Sequence, residues 1–231
     1  MMLTVREKIY RALLISLRSG SVARLDEIHE LVHLDKDVLI NYLSKDFIKV
    51  IGDKVMVLDK TALALEMVNS GIHMEDVLLS LGWKDFEEFC AELLEKQGFK
   101  VTTNFKFRRS LEHYEVDVVA YRHPYILSID CKRVRRLSNY FLKTVAERQL
   151  RRTEALSMEL WRHSKKLGID KYRPVLLIPA VFVVASMNPR IYNGVPIVPV
   201  GRILSFVKEF ERLIGNIFKA IESRPPNVSS L

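Results

Sequence analysis

Apolar positions follow different spacings along the chain, and this difference separates an N-terminal part from a C-terminal part. In the N-terminal part, apolar residues at helical spacing predict short helices, and two β runs joined around Gly52-Asp53 predict a hairpin. The C-terminal part alternates helical stretches with strongly apolar runs, which predicts an α/β domain with a central mixed β-sheet flanked by helices. The predicted helices cover residues 4–18, 25–32, 35–43, 61–69, 73–81, 85–97, 140–167 and 203–221. The predicted strands are two runs within 47–58, then residues 101–104, 114–121, 125–133, 175–178, 181–186 and 195–200.

The three N-terminal helices and the hairpin together predict a winged helix-turn-helix module. In such modules the second helix of the helix-turn-helix enters the DNA major groove, but here residues 35–46 carry three acids, two lysines and no arginine. Because phosphate repels acidic side chains, the pattern favours a protein contact or a spacer role over the reading of DNA sequence. We predict a winged-helix domain over residues 1–70, a connecting helix or linker over 71–83, a second domain over 84–222 and a flexible tail over 223–231.

The charge of the chain is unevenly placed. The 231 residues carry a net charge of +8, and residues 132–173 hold 13 basic and 4 acidic side chains. Such a stretch attracts polyanions, and phosphate contacts are the main source of sequence-independent affinity for nucleic acids. The same stretch could instead be the solvated face of a helix, so the charge alone leaves both interpretations open.

Composition narrows the class of protein and its compartment. Hydrophobic residues make up 48% of the chain and charged residues 28%, which is ordinary for a globular protein. No apolar run approaches the roughly 20 residues that span a bilayer, so we predict no membrane segment. The two cysteines, Cys90 and Cys131, lie within apolar patterns, which favours free buried thiols in a reducing compartment and hence a cytoplasmic protein.

Two adjacent predicted strands carry acids inside otherwise apolar runs. Asp117 lies in the first strand, while Asp130 and Lys132 stand two positions apart in the second and therefore share a face. If the strands pair as a hairpin, two carboxylates and an ammonium group meet at one edge of the sheet. A divalent cation such as Mg²⁺, or Mn²⁺ in its place, would relieve the repulsion between the carboxylates. The alternative is an Asp–Lys ion pair at the end of a strand.

The helix before these strands carries a third acid in an unusual position. At helical spacing Glu87 lies in line with Cys90 and Leu94 on the apolar side, whereas the other glutamates of the helix form an outer face. A third carboxylate beside a metal would explain this position. A flank position that reaches back to solvent is the alternative.

These motifs together resemble the PD-(D/E)xK, restriction-endonuclease-like superfamily, and most of all its archaeal Holliday-junction resolvases and Mrr-type endonucleases. The resemblance implies that Glu87, Asp117 and Asp130 hold Mg²⁺, with the Cys131 carbonyl as an extra ligand, and that Lys132 assists the attacking water. It departs from the resolvases in two respects: they usually carry Glu at the position of Asp130, and the insert before Asp117 is longer here. The residues that carry the resemblance are Phe86-Glu87, 91–94, Gly98-Phe99, 116–120 and 129–132.

The resemblance and the basic stretch lead to a functional prediction. We expect an Mg²⁺-dependent DNA endonuclease that acts on branched or structured DNA in repair or recombination. The alternatives are a restriction-type enzyme on foreign duplex DNA, an RNA-processing enzyme, and a non-catalytic DNA- or protein-binding adaptor. Related enzymes that cut two strands commonly act as dimers, so a homodimer is a further expectation, as is a protein partner of the winged helix. Gln149 lies where related nucleases carry a substrate-contacting glutamine. The arginines predicted to bind the nucleic-acid backbone are Arg108, Arg109, Arg133, Arg135, Arg136, Arg148, Arg151 and Arg152.

Overall fold

The chain divides into two compact units, residues 1–84 and 85–231. The computed structural model describes residues 3–17, 20–80, 86–133, 138–170, 172–185 and 187–226. Within these ranges, no helix combines the length and the apolar character that a membrane crossing requires.

The N-terminal unit packs helices against a small antiparallel sheet. The sheet has the order β1-β3-β2, and the β2–β3 turn contains Gly52, whose φ of +56° suits a residue without a Cβ atom. The helices and the hairpin agree with the sequence prediction, whereas β1 was not predicted because its three residues carry no periodic signal. The winged helix itself stays a prediction. The elements are α1 (Val5–Leu17), β1 (Val22–Arg24), α2 (Leu25–Val32), α3 (Lys36–Leu43), β2 (Ile48–Ile51), β3 (Lys54–Val57), α4 (Lys60–Asn69) and α5 (Met74–Ser80).

The C-terminal unit is built on a mixed sheet, as the sequence predicts. Its order among the described residues is β4-β5-β6-β7-β9-β8, with β10 paired to the start of β7. Strands β4, β5 and β6 are antiparallel, β6, β7 and β9 are parallel, and β8 is antiparallel to β9. The elements are α6 (Phe86–Lys96), β4 (Lys100–Arg109), β5 (Glu112–Arg122), β6 (Tyr125–Lys132), α7 (Asn139–Glu159), α8 (Ser164–Leu167), β7 (Val175–Val183), β8 (Arg190–Tyr192), β9 (Val195–Pro199), α9 (Ile203–Leu213) and β10 (Ile221–Ser223).

Helices cover the sheet, and α7 crosses much of it. The first half of α7 packs on β7 and β9 through Leu142 and Val145, and its second half packs beneath β4 and β5 through Leu156. The ring of Phe182 in β7 contacts Phe206 of α9. Neighbouring strand residues point to opposite faces, so Phe182 and α9 lie across the sheet from the partners of α7. The end of β6 therefore comes to lie beside α7.

Two strand predictions were wrong in extent. The strand predicted over residues 101–104 continues to Arg109, because buried Phe105 and Phe107 alternate with polar residues that obscure the apolar run. The strands predicted over 175–178 and 181–186 are one strand, β7. Pro179 lies within it, in register with Ser128 of the parallel neighbour β6, and does not end the strand.

Two helix predictions were too long. The helix predicted over residues 203–221 ends at Leu213, and Gly215 then adopts a φ of +81°, which helical backbone does not allow. The chain returns as β10, so part of the predicted helix is a strand. The helix predicted over 140–167 contains a 3₁₀ turn at Leu160–His163 that separates α7 from α8.

Candidate active site

Asp117 lies where strands β5 and β6 separate. The last paired residues of the two strands are Val118 and Ile129. Asp117 and Asp130 occupy the next position on each strand. The backbone N–H of Cys131 donates to Asp117 Oδ2 over 2.7 Å and turns this carboxylate toward β6. Burial raises the pKa of Asp117, the hydrogen bond from Cys131 opposes this rise, and the charge of Asp130 adds to it.

Asp130 is buried between two cations. Its exposed fraction is 1%, and its Oδ1 accepts a hydrogen bond from Lys132 Nζ over 2.8 Å. The guanidinium of Arg152 on α7 donates to the same oxygen over 2.5 Å. Lys132 Nζ also lies 4.0 Å from Asp117 Oδ2 and donates to the Cys131 carbonyl over 3.4 Å. Lys132 therefore lies between two carboxylates, at the position from which it could contact a substrate phosphate or a water molecule.

The thiol of Cys131 lies on the other side of β6, toward the helix that carries Glu87. Cys131 and Cys90 are buried and form no disulfide. Burial raises the pKa of the Cys131 thiol well above its usual value, and the hydrogen bond with Cys90 raises it further. The charges of Asp117 and Glu87 act in the same direction. Half-buried Glu87 is therefore near the site, on the α6 side.

The oxygen atoms at this edge suit a divalent cation. Mg²⁺ is usually held by one or two carboxylates together with waters and substrate phosphate. The carboxylates of Asp117 and Asp130, with the carbonyl of Cys131, match this preference. Within the described ranges, however, no three His, Cys, Asp or Glu side chains form a group that could hold a metal. The structure therefore does not join Glu87 to the two aspartates in one cluster, and its role as a ligand stays a prediction.

Gln149 has a different environment from the one that the sequence prediction assumes. Its side chain is fully buried, and Nε2 donates to the Ser128 carbonyl over 2.7 Å and to Ser128 Oγ over 3.0 Å. This buried position favours a structural role for Gln149, and its contact with a substrate stays a prediction. Gln149 instead joins α7 to β6. Ser128 was not among the predicted residues, although a serine two positions before Asp130 shares its face of the strand.

Two of the predicted arginines lie near Tyr114. Hydrogen bonding to the Glu112 carboxylate raises the pKa of Tyr114, and the charges of Arg109 on β4 and Arg151 on α7 oppose this rise. These arginines are distant in sequence. The fold therefore brings the basic strand and the basic helix into one region.

The other predicted arginines are divided between the surface and the site. Arg152 contacts Asp130 and is a site residue that the sequence placed only among backbone binders. Arg135 and Arg136 lie outside the described residues. Those that are exposed are Arg108, Arg133 and Arg148.

A separate apolar cavity lies between α9 and the β8–β9 edge of the sheet. It has a volume of about 420 Å³, and its walls include Ile191, Phe206 and Phe210. None of the predicted site residues lines it. The chemistry of the β5–β6 edge, rather than the size of this cavity, identifies the candidate active site.

A comparison with protein-family models gives an independent indication. Residues 78–159 match the Mrr catalytic-domain model, described as a restriction endonuclease. This segment is therefore similar to a restriction-endonuclease-like domain. The matched segment covers about a third of the chain and includes Glu87, Asp117, Asp130 and Lys132.

Similarities to solved structures are weak and add no argument. A protein of unknown function, AF1548, has 18% identity and a TM-score of 0.36 over 55% of this chain and 66% of its own. Protein VC1899 from Vibrio cholerae has 9% identity and a TM-score of 0.32 over 90% of this chain and half of its own. The restriction endonuclease PspGI, in a complex with substrate DNA, has 14% identity and a TM-score of 0.27, over 92% of this chain and 82% of its own. No curated protein matches the sequence.

Proposed function

We propose that the protein is an Mg²⁺-dependent DNA endonuclease that hydrolyses phosphodiester bonds. The observation that carries this proposal is the convergence of Asp117, Asp130 and Lys132 at one edge of the sheet, with Lys132 Nζ within 4.0 Å of both carboxylates. The family match over residues 78–159 includes all three. Ion pairs at strand ends are common, but this one lies in a segment that resembles a nuclease.

The carboxylates of Asp117 and Asp130 would hold the cation, together with the Cys131 carbonyl, and Mn²⁺ fits the same donors. When bound, the cation would polarise the phosphate and lower the pKa of a nucleophilic water. Lys132 would orient that water and stabilise the negative charge that develops on the phosphate. The hydrogen bond from the Cys131 N–H would hold Asp117 in place during the reaction.

Basic side chains on β4 and α7 would bind the DNA backbone. Arg108 and Lys106 line an open cleft of about 410 Å³ at the β4–β5 hairpin. Arg148 and Arg151 are exposed on α7. Guanidinium groups bind phosphate bidentately, so these positions suit contacts that ignore DNA sequence.

The class of DNA is a separate part of the proposal. Resemblance to the resolvases favours branched or structured DNA, with a role in repair or recombination. The description of the matching family favours the second candidate, a restriction-type enzyme that cuts duplex DNA. Either activity would be compatible with a homodimer, in which two active sites cut two strands.

We further propose that the N-terminal unit is a winged helix that contacts a protein partner. The exposed residues of α3 include Val38 and Tyr42, which are apolar, and Asp37, which is acidic. Lys36 of the same helix forms an ion pair with Asp26. This surface is poorly suited to phosphate, so a protein contact is favoured over the reading of DNA sequence.

The test is a cleavage assay on labelled linear duplex, single-stranded, flap and four-way-junction DNA, with Mg²⁺, Mn²⁺ or EDTA. We expect metal-dependent cleavage by the wild type and a loss of at least about 100-fold in Asp130→Ala and Lys132→Ala. The exposed residues Asp170 and Lys208 provide matched controls, and Asp170→Asn and Lys208→Ala should cleave like the wild type.

Three results would contradict the proposal. One is cleavage that persists in EDTA, and another is full activity in Asp130→Ala and Lys132→Ala. The third is DNA binding by the wild type without cleavage of any substrate, which would favour the non-catalytic adaptor. The preferred substrate would decide between branched and duplex DNA, and an RNA arm would test the remaining alternative.

A further inference from the structure

Arg152 forms an ion pair with Asp130, a contact that an arginine does not need in order to bind the DNA backbone. Its Nη1 lies 2.5 Å from Asp130 Oδ1, and Lys132 Nζ lies 2.8 Å from the same oxygen. Asp130 is almost fully buried, whereas the side chains of Arg152 and Lys132 are 31% and 30% exposed. Two cations therefore converge on one buried carboxylate oxygen, and both retain access to solvent.

The charges of the two aspartates and of the two cations beside them cancel. Asp117 and Asp130 contribute two negative charges, and Lys132 and Arg152 contribute two positive charges. Glu87 adds a further negative charge from α6, close enough to influence Cys131. A divalent cation at the two aspartates would compete with Arg152 for Asp130 and would place additional positive charge in a partly buried site. Such binding becomes more favourable when Arg152 leaves or when a phosphate arrives.

We propose that the Arg152 guanidinium is ion-paired with Asp130 in the absence of substrate and binds a DNA phosphate instead when substrate is present. This exchange of partners frees the Asp130 carboxylate for the divalent cation. This inference rests on the proposed nuclease function. Arg152 follows Arg148 by four residues, so the two lie on the same side of α7, and Arg148 is exposed there. A phosphate bound by Arg148 would lie within reach of the Arg152 guanidinium, which can bind it bidentately.

The exchange makes cation binding and DNA binding cooperative. If DNA removes Arg152 from Asp130, DNA strengthens cation binding, and the cation must strengthen DNA binding by the same factor. Removal of the Arg152 guanidinium by mutation should therefore strengthen cation binding even when no DNA is present. An Arg152 that stayed on Asp130 would also repel the cation, but DNA would then change cation affinity equally in the wild type and in Arg152→Gln.

The test is calorimetric titration of Mn²⁺ into the full chain, without DNA and with a phosphorothioate duplex that resists hydrolysis. Without DNA, Arg152→Gln should bind Mn²⁺ about tenfold more tightly than the wild type. DNA should tighten Mn²⁺ binding by the wild type and change that of Arg152→Gln much less. Lys143→Gln is the matched control, because it removes the same charge from an exposed position of α7 and should match the wild type in the absence of DNA.

A second variant and a stability measurement guard against misfolding. Arg152→Lys keeps the charge but loses the planar fork, so its Mn²⁺ affinity should lie between those of the wild type and Arg152→Gln. Thermal unfolding would show that each variant is folded. If the wild type binds Mn²⁺ and folded Arg152→Gln binds it equally or more weakly, the inference about Arg152 is wrong, while the proposed nuclease function is unaffected. The absence of Mn²⁺ binding by every variant and the wild type would overturn the proposed metal-dependent function as well.

Discussion

The buried amide of Gln149 permits a sharp test of the structure against the sequence prediction. Its Nε2 supplies two hydrogen bonds to Ser128, while its Oε1 is buried and accepts no hydrogen bond from the described residues. The first feature stabilises the contact between α7 and β6, and the second weakens it. We predict that Gln149→Met and Gln149→Glu will differ strongly in stability although both remove the amide donor.

The expected magnitudes follow from these contacts. Gln149→Met loses two hydrogen bonds worth about 1 kcal/mol each, but it also removes a buried unsatisfied oxygen that costs about 1–3 kcal/mol. The net change in the free energy of unfolding should therefore stay below about 1 kcal/mol in either direction. Gln149→Glu instead places a carboxyl group against the Ser128 carbonyl, and burying an unpaired acid should cost at least about 3 kcal/mol.

Urea unfolding followed by circular dichroism measures the difference in the free energy of unfolding between the two Gln149 variants. A second measurement, the affinity for DNA at a fixed salt concentration, tests whether Gln149 contacts the substrate. Gln149→Met should bind DNA within about twofold of the wild type, because the replaced group is not exposed. Lys143→Met, at an exposed position of the same helix, should change stability by less than about 0.5 kcal/mol. A loss of DNA affinity of more than about tenfold in Gln149→Met, with unchanged stability, would refute the structural role and favour the predicted substrate contact.

Two further predictions concern the acids and the basic surface. Burial raises the pKa of Asp117 in the folded protein, so ionisation of this carboxyl group destabilises the fold. The destabilisation is complete above the folded-state pKa, and it disappears as the pH falls through that pKa toward the ordinary value of 3.8. Asp117→Asn should therefore stabilise the metal-free protein near neutral pH by on the order of 1 kcal/mol, and the gain, measured by urea unfolding, should shrink toward acid pH; a gain that grows in acid would contradict this reasoning. Arg148→Gln and Arg151→Gln should each make the plot of log K for DNA binding against log salt concentration less steep by about 1. Each variant should lose a similar amount of affinity for all DNA sequences. An unchanged slope, or a loss confined to one DNA sequence, would count against backbone contacts.

The strands that carry the acids could be predicted because local patterns determine them. Asp117, Asp130 and Lys132 interrupt apolar runs with a spacing of two, so their faces follow from strand geometry alone. The hairpin turn between the strands is marked by His123-Pro124, and the structure pairs β5 with β6 accordingly. Proximity in sequence thus leaves little freedom in how this edge is assembled.

The contacts that α7 side chains make with the site could not be predicted from local patterns. Whether Arg152 contacts Asp130 depends on how a helix lies on a sheet whose neighbouring strand, β7, follows that helix in the chain. A shift of one helical position would have placed a different side chain at Asp130. The same ambiguity concealed β10, because Ile221 continues the apolar pattern of α9 and only its pairing with Leu177 makes it part of a strand.

The structure also changes what the basic stretch means. The excess of basic residues over 132–173 suggests a continuous surface for DNA, but several of these charges pair with acidic side chains of the protein itself. Lys132 and Arg152 neutralise Asp130, and Arg162 pairs with Glu159. The positive field available to DNA is therefore smaller than the sequence count and more localised, with α7 as a main contributor. Two of the charges that the count assigned to DNA binding instead pair with a candidate catalytic acid, and under our proposal this pairing would link the affinity for substrate to the state of the active site.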